Sequence, residues 1–235
     1  ATLTAVANRA DIINNANIRP SNAIVALSST GTASYEGAPN SGMASNGLTL
    51  ARHRVISKDY LADFPEISDP ALDEAIAYSG SCMLDDQVPG LNMTVAQALL
   101  SPTRTYAPLL LAMFNEFGDK IRGIIHNTGG GQTKDLSFGK GLTYVKDDLF
   151  DVPPLFGFIR KSGGEPVPWR QMYQVFNMGS RMELFVEPML ADRVIEVSED
   201  FGIEAKVIGH VEESEDGVNR LHLTDPEGKI QTYQR

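Results

Sequence analysis

"PSNAIVALSSTG", residues 20–31, sets an apolar run from Ala23 to Leu27 between two clusters of turn formers. A short unbroken apolar run with Pro-Ser-Asn in front and Ser-Ser-Thr-Gly behind is the pattern of a buried strand held between turns. Working outward from it, helix and strand signals alternate along the whole chain, with no internal repeat and no low-complexity segment. This predicts an α/β (α+β) fold, a mixed β-sheet covered by helices. Leu48 to Ile56 reads as a helix. Asp69-Pro70 places a capping carboxylate before a proline, and Thr94-Val95-Ala96-Gln97 is a capping box, so each predicts a helix start. Thr103 to Phe117 repeats apolar residues at 106, 109, 110, 113, 114 and 117, a single buried helical face that Gly118 ends. Gly123–Asn127, Leu142–Val145, Met182–Val186 and Ala205–Val211 read as strands. Leu155–Lys161, Trp169–Phe176 and Met189–Phe201 read as helices, the last stopped by Gly202. Leu221-His222-Leu223 and Ile230 to Tyr233, around Pro226-Glu227-Gly228, form a hairpin signal.

Composition narrows the functional classes. With 235 residues and 42% hydrophobic content the chain can bury a full core. The longest apolar run, Leu109 to Phe114, is far short of the ~20 residues a membrane span needs, and the N-terminus lacks a basic region followed by an apolar stretch. A single cysteine, Cys82, cannot form an internal disulfide and reads as a small buried apolar residue. Together these predict a cytoplasmic protein with no membrane partner. A net charge of −10, from 30 acids against 20 bases, argues against nucleic acid as a partner and leaves room for a local basic pocket that takes one small anion.

Two glycine-rich segments carry the chemistry. In "HNTGGGQTK", residues 126–134, a predicted strand runs into Thr128-Gly129-Gly130-Gly131. Successive bare N–H groups there make a nest for an anion, or else the glycines form a tight turn packed closely on a neighbouring helix. The Walker pattern does not fit, because Lys134 follows Gln132-Thr133. In the second segment, 40–47, Ser45, Asn46 and Gly47 lead into the helix at Leu48, where Ser45 or Asn46 caps the helix or binds a ligand. Arg104 within Ser101-Pro102-Thr103-Arg104 suits a phosphate or carboxylate, and equally a structural ion pair. In Phe176-Asn177-Met178-Gly179, Gly179 is a left-handed helix end and Asn177 a turn former. Histidines at 53, 126, 210 and 222 have no metal-binding spacing, although His126 adjoins the glycine run. Asp85-Asp86 and Asp147-Asp148 could hold magnesium but read as solvated acids.

These stretches carry a family resemblance. "SNGLTLAR" from Ser45, "LLSPTRTYAPLL" from Leu99, "IIHNTGGG" from Ile124, "FNMGSRMELFV" from Phe176 and "VIGHV" at 207–211 occur in the order and spacing of aminoimidazole ribonucleotide (AIR) synthetase. That enzyme family is phosphoribosylformylglycinamidine cyclo-ligase. The chain resembles its C-terminal domain from about Arg9 to Val211. The resemblance implies a cytoplasmic, homodimeric ligase of purine biosynthesis that uses ATP and Mg2+, both held mostly by an N-terminal domain. Its substrate is a small ribonucleotide, formylglycinamidine ribonucleotide. Ser45, Asn46 and Gly47 with Thr128, Gly129, Gly130 and Gly131 would line the phosphate site, joined by Arg104, His126 and Asn177. No residue is assigned as catalytic and none as a metal ligand. Residues 1–20 would be the end of the preceding domain and a linker, 21–212 the C-terminal domain and 213–235 a β-hairpin tail. Thr2 to Ala10 resembles the last strand of the preceding domain and Ile18-Arg19-Pro20 the linker.

The chain departs from the family pattern where many members read His-Ser-Asn-Gly, since residue 44 is alanine, and it carries an insert from Thr32 to Met43. Two other readings follow: a divergent ATP-dependent relative acting on another amide or carboxylate, or a non-catalytic ribonucleotide-binding module.

Overall fold

The computed structural model describes every residue except 1, 3, 10, 11 and 74. Among the described residues nine strands and seven α-helices follow in chain order. The strands are β1 (Ala23–Ser28), β2 (Thr30–Gly31), β3 (Asn40–Ser41), β4 (Ile121–His126), β5 (Leu142–Lys146), β6 (Ser180–Val186), β7 (Ala205–Glu213), β8 (Arg220–Thr224) and β9 (Ile230–Gln234). The helices are α1 (Leu48–Val55), α2 (Tyr60–Asp63), α3 (Val95–Leu99), α4 (Ala107–Phe117), α5 (Pro154–Lys161), α6 (Trp169–Val175) and α7 (Ala191–Asp200). Seven strands form one sheet in the order β4-β6-β1-β7-β5-β8-β9, while β2 and β3 pair separately. All neighbours in the large sheet are antiparallel except β5 and β8, which makes it a mixed sheet.

The apolar run from Ala23 to Leu27 is β1, near the centre of that sheet, paired to β6 on one side and β7 on the other. Every residue of β1 is buried. Successive side chains point to opposite faces, so Ile24 and Ala26 enter one core with α1, α3, α5 and α6, and Ala23, Val25 and Leu27 enter a second with α4 and α7. A strand covered on both faces has no reason to alternate apolar with polar, hence its continuous run.

Several local expectations hold. Thr94 Oγ1 accepts the Gln97 N–H while Gln97 Oε1 accepts the Thr94 N–H, the reciprocal capping box at α3. Gly118, at φ +53°, ends α4. The Gly202 and Ile203 N–H groups return to the Glu199 and Ser198 carbonyls and close α7. At the tail, Asp225 accepts the N–H groups of Glu227 and Lys229 across the β8–β9 turn, and β8 adds the hairpin to the sheet beside β5.

Others do not. Over the described residues no helix follows Asp69-Pro70. Asp69 and Asp73 instead accept the N–H groups of Ala71 and Ala75, local turns that compete with a helix. The chain is then drawn along the end of α1, where Ser79 and Cys82 donate to the His53 and Val55 carbonyls. Helix α4 starts at Ala107 rather than near Thr103, because Arg104 is pulled into another contact described below. The helix expected from Met189 begins as a 3-10 turn, Pro188–Leu190, and becomes α-helical at Ala191. The stretch expected to resemble a strand, 2–10, forms none over its described residues 2 and 4–9. Residues 32–43, the insert, fold as a turn that returns the chain through β3 to β2, Thr30 opposite Ser41.

Candidate functional site

The two glycine-rich segments meet. A Cβ built on Gly129 would lie 3.6 Å from Asn46 Nδ2, so the 45–47 loop and the 128–130 loop form one lip beyond the end of β4. Ser45, Gly129 and Gly130 are exposed, and Asn46 and Thr128 half-buried. The Gly131 N–H closes a turn on the Thr128 carbonyl and Thr128 N–H on that of His126, whereas the Gly129 and Gly130 N–H groups have no partner among the described residues. Two adjacent free donors on a bare backbone, with the amide of Asn46 alongside, suit an anion.

Not every glycine in these loops serves that purpose. Gly131 is buried, and a Cβ there would sit 2.5 Å from the carbonyl oxygens of both Phe176 and Tyr173. Gly47 has φ +73°, and its Cβ would sit 2.3 Å from the Phe176 ring. These two glycines let the loops close onto Phe176. Gly47 also takes the N-cap position of α1, and no side chain caps that helix. The capping role expected of Ser45 or Asn46 is therefore corrected: a left-handed glycine turns the chain first, and both side chains are left without hydrogen-bond partners among the described residues.

The "FNMGSR" segment is the scaffold that holds the lip. Phe176 packs against both loops. Asn177 Nδ2 donates to the Gly42 carbonyl, its Oδ1 accepts the Gly179 N–H, and its carbonyl accepts from Gln132 Nε2. Arg181, almost wholly buried, donates through Nη2 to the carbonyls of Gly42 (2.7 Å) and Met43 (3.2 Å). Asn177, nominated as a ligand residue, is 1% exposed and ties one loop to the other from beneath.

Arg104 is corrected more firmly. Its guanidinium donates to the carbonyls of Ser28, Thr30 and Gly31 and to both carboxylate oxygens of Glu36, at 2.8–3.0 Å. That consumes all of its N–H groups. Burial alone would raise the Glu36 carboxyl, but hydrogen bonds from Arg104 and the Ala33 N–H hold it below the usual carboxylate range. Arg104 thus clamps the insert onto the end of β1 and has nothing left for a ligand.

His126 is half-buried, its ring edge-on to Tyr106 at 6.3 Å and its Nε2 enclosed without a partner among the described residues. Burial, then the charges of Arg181 and Lys134, push its pKa down to about 4. It stands beside the lip as a neutral imidazole, not as a cation for phosphate.

Sequence reasoning passed over the network under the lip. Lys146 Nζ lies 2.7 Å from Asp135 Oδ2 and 2.8 Å from Glu183 Oε1, all three side chains fully buried. It also donates to Gln132 Oε1 at 2.9 Å, and Glu183 Oε1 accepts from Asn127 Nδ2 and Ser180 Oγ. Gln132 and Asp135 belong to the 3-10 helix Gly131–Ser137 that follows the glycines, so the network bolts the lip to β5 and β6. Two carboxylates share one ammonium. Burial first, and the Glu183 charge second, raise Asp135 to about 7. A charge set inside an apolar strand, Glu183 in "RMELFV" or Lys146 closing "LTYVK", is the signal that pointed here.

The acidic pairs do not gather. Asp86 accepts the Met83 N–H and Asp148 pairs with Lys206. Among the described residues no three His, Cys, Asp or Glu side chains group so as to hold a metal ion. No helix of the described residues is long and apolar enough to cross a membrane.

Fold and site together define a class: an α/β domain on one mixed sheet, with two abutting glycine loops pinned by a buried Phe-Asn-Met-Gly segment. A family model described as AIR synthase related protein, C-terminal domain, matches residues 19–221, and the chain belongs to that family. Among curated relatives, the phosphoribosylformylglycinamidine cyclo-ligase of Methanopyrus kandleri is 34% identical over 220 residues, 94% of this chain and 52% of the relative. That of Methanococcus maripaludis is 32% identical over 91% of this chain and 50% of the relative. The chloroplastic/mitochondrial enzyme of Vigna unguiculata is 31% identical over 81% and 40%. The chain spans about half the length of the first two relatives. Among solved structures, Escherichia coli HypE, a hydrogenase maturation protein, aligns with TM-score 0.46 at 14% identity over 94% of this chain and 52% of that one. Thermotoga maritima PurL complexed with ATP aligns with TM-score 0.43 at 12% identity over 96% and 27%.

Proposed function

We propose that this chain is the C-terminal half of an ATP-dependent phosphoribosylformylglycinamidine cyclo-ligase, converting formylglycinamidine ribonucleotide to aminoimidazole ribonucleotide with release of ADP and phosphate in purine biosynthesis. Family membership and the names of the curated relatives support this reading. The observation that carries it is the lip itself, where Asn46 abuts Gly129 beside two unengaged N–H groups.

In this reading ATP supplies the phosphoryl group that activates the formyl oxygen, and the amidine nitrogen then attacks the formyl carbon, closing the ring as phosphate leaves. The lip's work is positional and electrostatic. Donors fixed by Phe176, Asn177 and Arg181 need no reorganisation when charge arrives. Neutral His126 can hold or accept one hydrogen bond at the edge of the same lip. Among the described residues no three His, Cys, Asp or Glu side chains group to hold a metal ion, and Mg2+ would be held with ATP mostly by the half of the relatives that this chain does not span. Homodimerisation and most ATP contacts would fall to the half of the relatives that this chain does not span.

Ala44 favours a second reading. It is buried with φ +53° where many family members carry histidine, so no side chain reaches the lip from that position. A relative of the same fold with another amide or carboxylate substrate, or a non-catalytic ribonucleotide-binding module, follows from it.

The test is phosphate release by the intact gene product, required to depend on both ATP and formylglycinamidine ribonucleotide. Gly129→Asp, which puts a carboxylate into open space on the lip, should lower that rate by roughly tenfold or more with unfolding unchanged. Substrate binding without phosphate release would leave only the binding module.

A further inference from the structure

A second feature adjoins the lip. The 129–137 segment, α6 and the end of the last strand line an open cleft of about 400 Å³, whose wall runs from Gly129 and Gly130 through Lys134 to Arg170 and Arg235. Three cations converge there in a chain of 30 acids and 20 bases, and no Asp or Glu lines the cleft. None of the three enters an ion pair with a carboxylate among the described residues, although most other charged clusters of the surface pair off.

Each cation is placed by neutral partners. Arg170 Nη1 donates to the Thr232 carbonyl at 2.6 Å, its guanidinium lies 4.4 Å over the Tyr233 ring, and Tyr233 Oη donates back to the Arg170 carbonyl at 2.9 Å. Its Nε and Nη2 remain without partners among the described residues. Arg235 Nη1 donates to Ser137 Oγ at 2.7 Å, and Lys134 Nζ to Thr128 Oγ1. Aromatic stacking and carbonyl contacts fix where these charges point without neutralising them. Arg170 and Arg235 are exposed and Lys134 half-buried, so the cluster costs little by itself and presents a local positive potential that attracts an anion. Strand β9, which carries Tyr233, and Arg235 just after it lie beyond residue 221, where the family match ends.

We propose that Lys134, Arg170 and Arg235 form, with Gly129 and Gly130, a subsite for a phosphate monoester, and that the C-terminal hairpin is its wall. This rests on the reading of the glycine loop as an anion lip. A phosphate monoester matches the feature better than a carboxylate, since a dianion with three terminal oxygens can meet a guanidinium fork, an ammonium and backbone donors at once. The volume admits the phosphate with the sugar that carries it.

Ribose 5-phosphate and ribose, titrated calorimetrically into the intact protein, test this. The wild type should bind ribose 5-phosphate with an affinity that falls as salt rises, and ribose with no salt dependence. Lys134→Met and Arg170→Met should each weaken ribose 5-phosphate binding roughly tenfold and leave ribose unmoved, with Arg170→Lys recovering part of the loss. Thermal unfolding of each variant checks that the hairpin stays docked. Absence of saturable ribose 5-phosphate binding, or wild-type affinity in both Met variants, overturns the subsite. If Gly129→Asp weakens binding while both Met variants do not, the subsite fails and the lip stands. If the Met variants weaken it and Gly129→Asp is silent, the three cations hold the anion, and the part given to Gly129 and Gly130, with the reading of the lip, is overturned.

Discussion

Gly129 and Gly131 stand two residues apart in one run and are glycine for opposite reasons. At Gly129 the space a side chain would fill is open, bounded at 3.6 Å by the movable end of Asn46. At Gly131 it is occupied by backbone: two carbonyl oxygens 2.5 Å from where Cβ would be. Carbonyls held in helix α6 and its exit cannot step aside as a side chain can. The first glycine bares donors to solvent, and the second lets the loop press onto the helix. Of the two explanations that the sequence left open, tight packing is what Gly131 shows, while the open space at Gly129 is where the proposed anion nest would lie.

The same division separates Arg104 from the cations at the lip. Arg104→Met strands Glu36 and removes the donor from three carbonyls, and should cost ~3–5 kcal/mol in chemical denaturation of the intact protein. If stability holds and only ligand binding falls, Arg104 belongs with the open group instead. Gly131→Ala combines a backbone clash with φ +52° and should destabilise by ~1–3 kcal/mol in the same measurement. Gly129→Ala should move stability by no more than ~0.5 kcal/mol, because its Cβ meets only ordinary contact. Equal losses at 129 and 131 would erase the contrast.

A further contrast is one of pH. Burial and the neighbouring Glu183 charge raise the Asp135 carboxyl from its ordinary 3.8 to about 7, so across that window the folded state holds a proton that the unfolded chain has released. Its contribution to stability is full at low pH and is lost as pH rises through 7. His126 has the opposite sign: its folded value of about 4 lies below the ordinary 6.5, so its contribution is present above 6.5 and lost as pH falls through 4. Asp135→Asn is uncharged throughout and removes the first slope. Its unfolding free energy should therefore approach that of the wild type between pH 5 and pH 8. A gap that stays constant would mean Asp135 does not titrate in that range.

Much of the fold was legible because its signals are local. The unbroken apolar run of β1, the Thr94 capping box and the glycine stops after α4 and α7 depend on neighbours within a turn or two. The helix expected after Asp69 failed where that dependence ended, when carbonyls at the close of α1 took the backbone donors of Ser79 and Cys82. At the site, the candidate residues were drawn from the right loops, yet sequence could not sort them. An arginine whose N–H groups are all engaged by carbonyls and a glutamate 68 positions away looks the same in one dimension as an arginine open to solvent.

The sequence alone determined the mixed α/β class, the order of most of the main strands and helices and the two glycine loops, because periodicity, capping and turn chemistry act over short stretches of chain. Only the tertiary structure decided which glycines are bare and which are packed, that Arg104 is a clamp, that Lys146 serves two buried carboxylates, and that the C-terminal hairpin brings Arg235 against the glycine lip. Each of these is a question of what occupies the neighbouring space or meets a donor, and the answer comes from residues distant in sequence that meet only when the sheet is assembled.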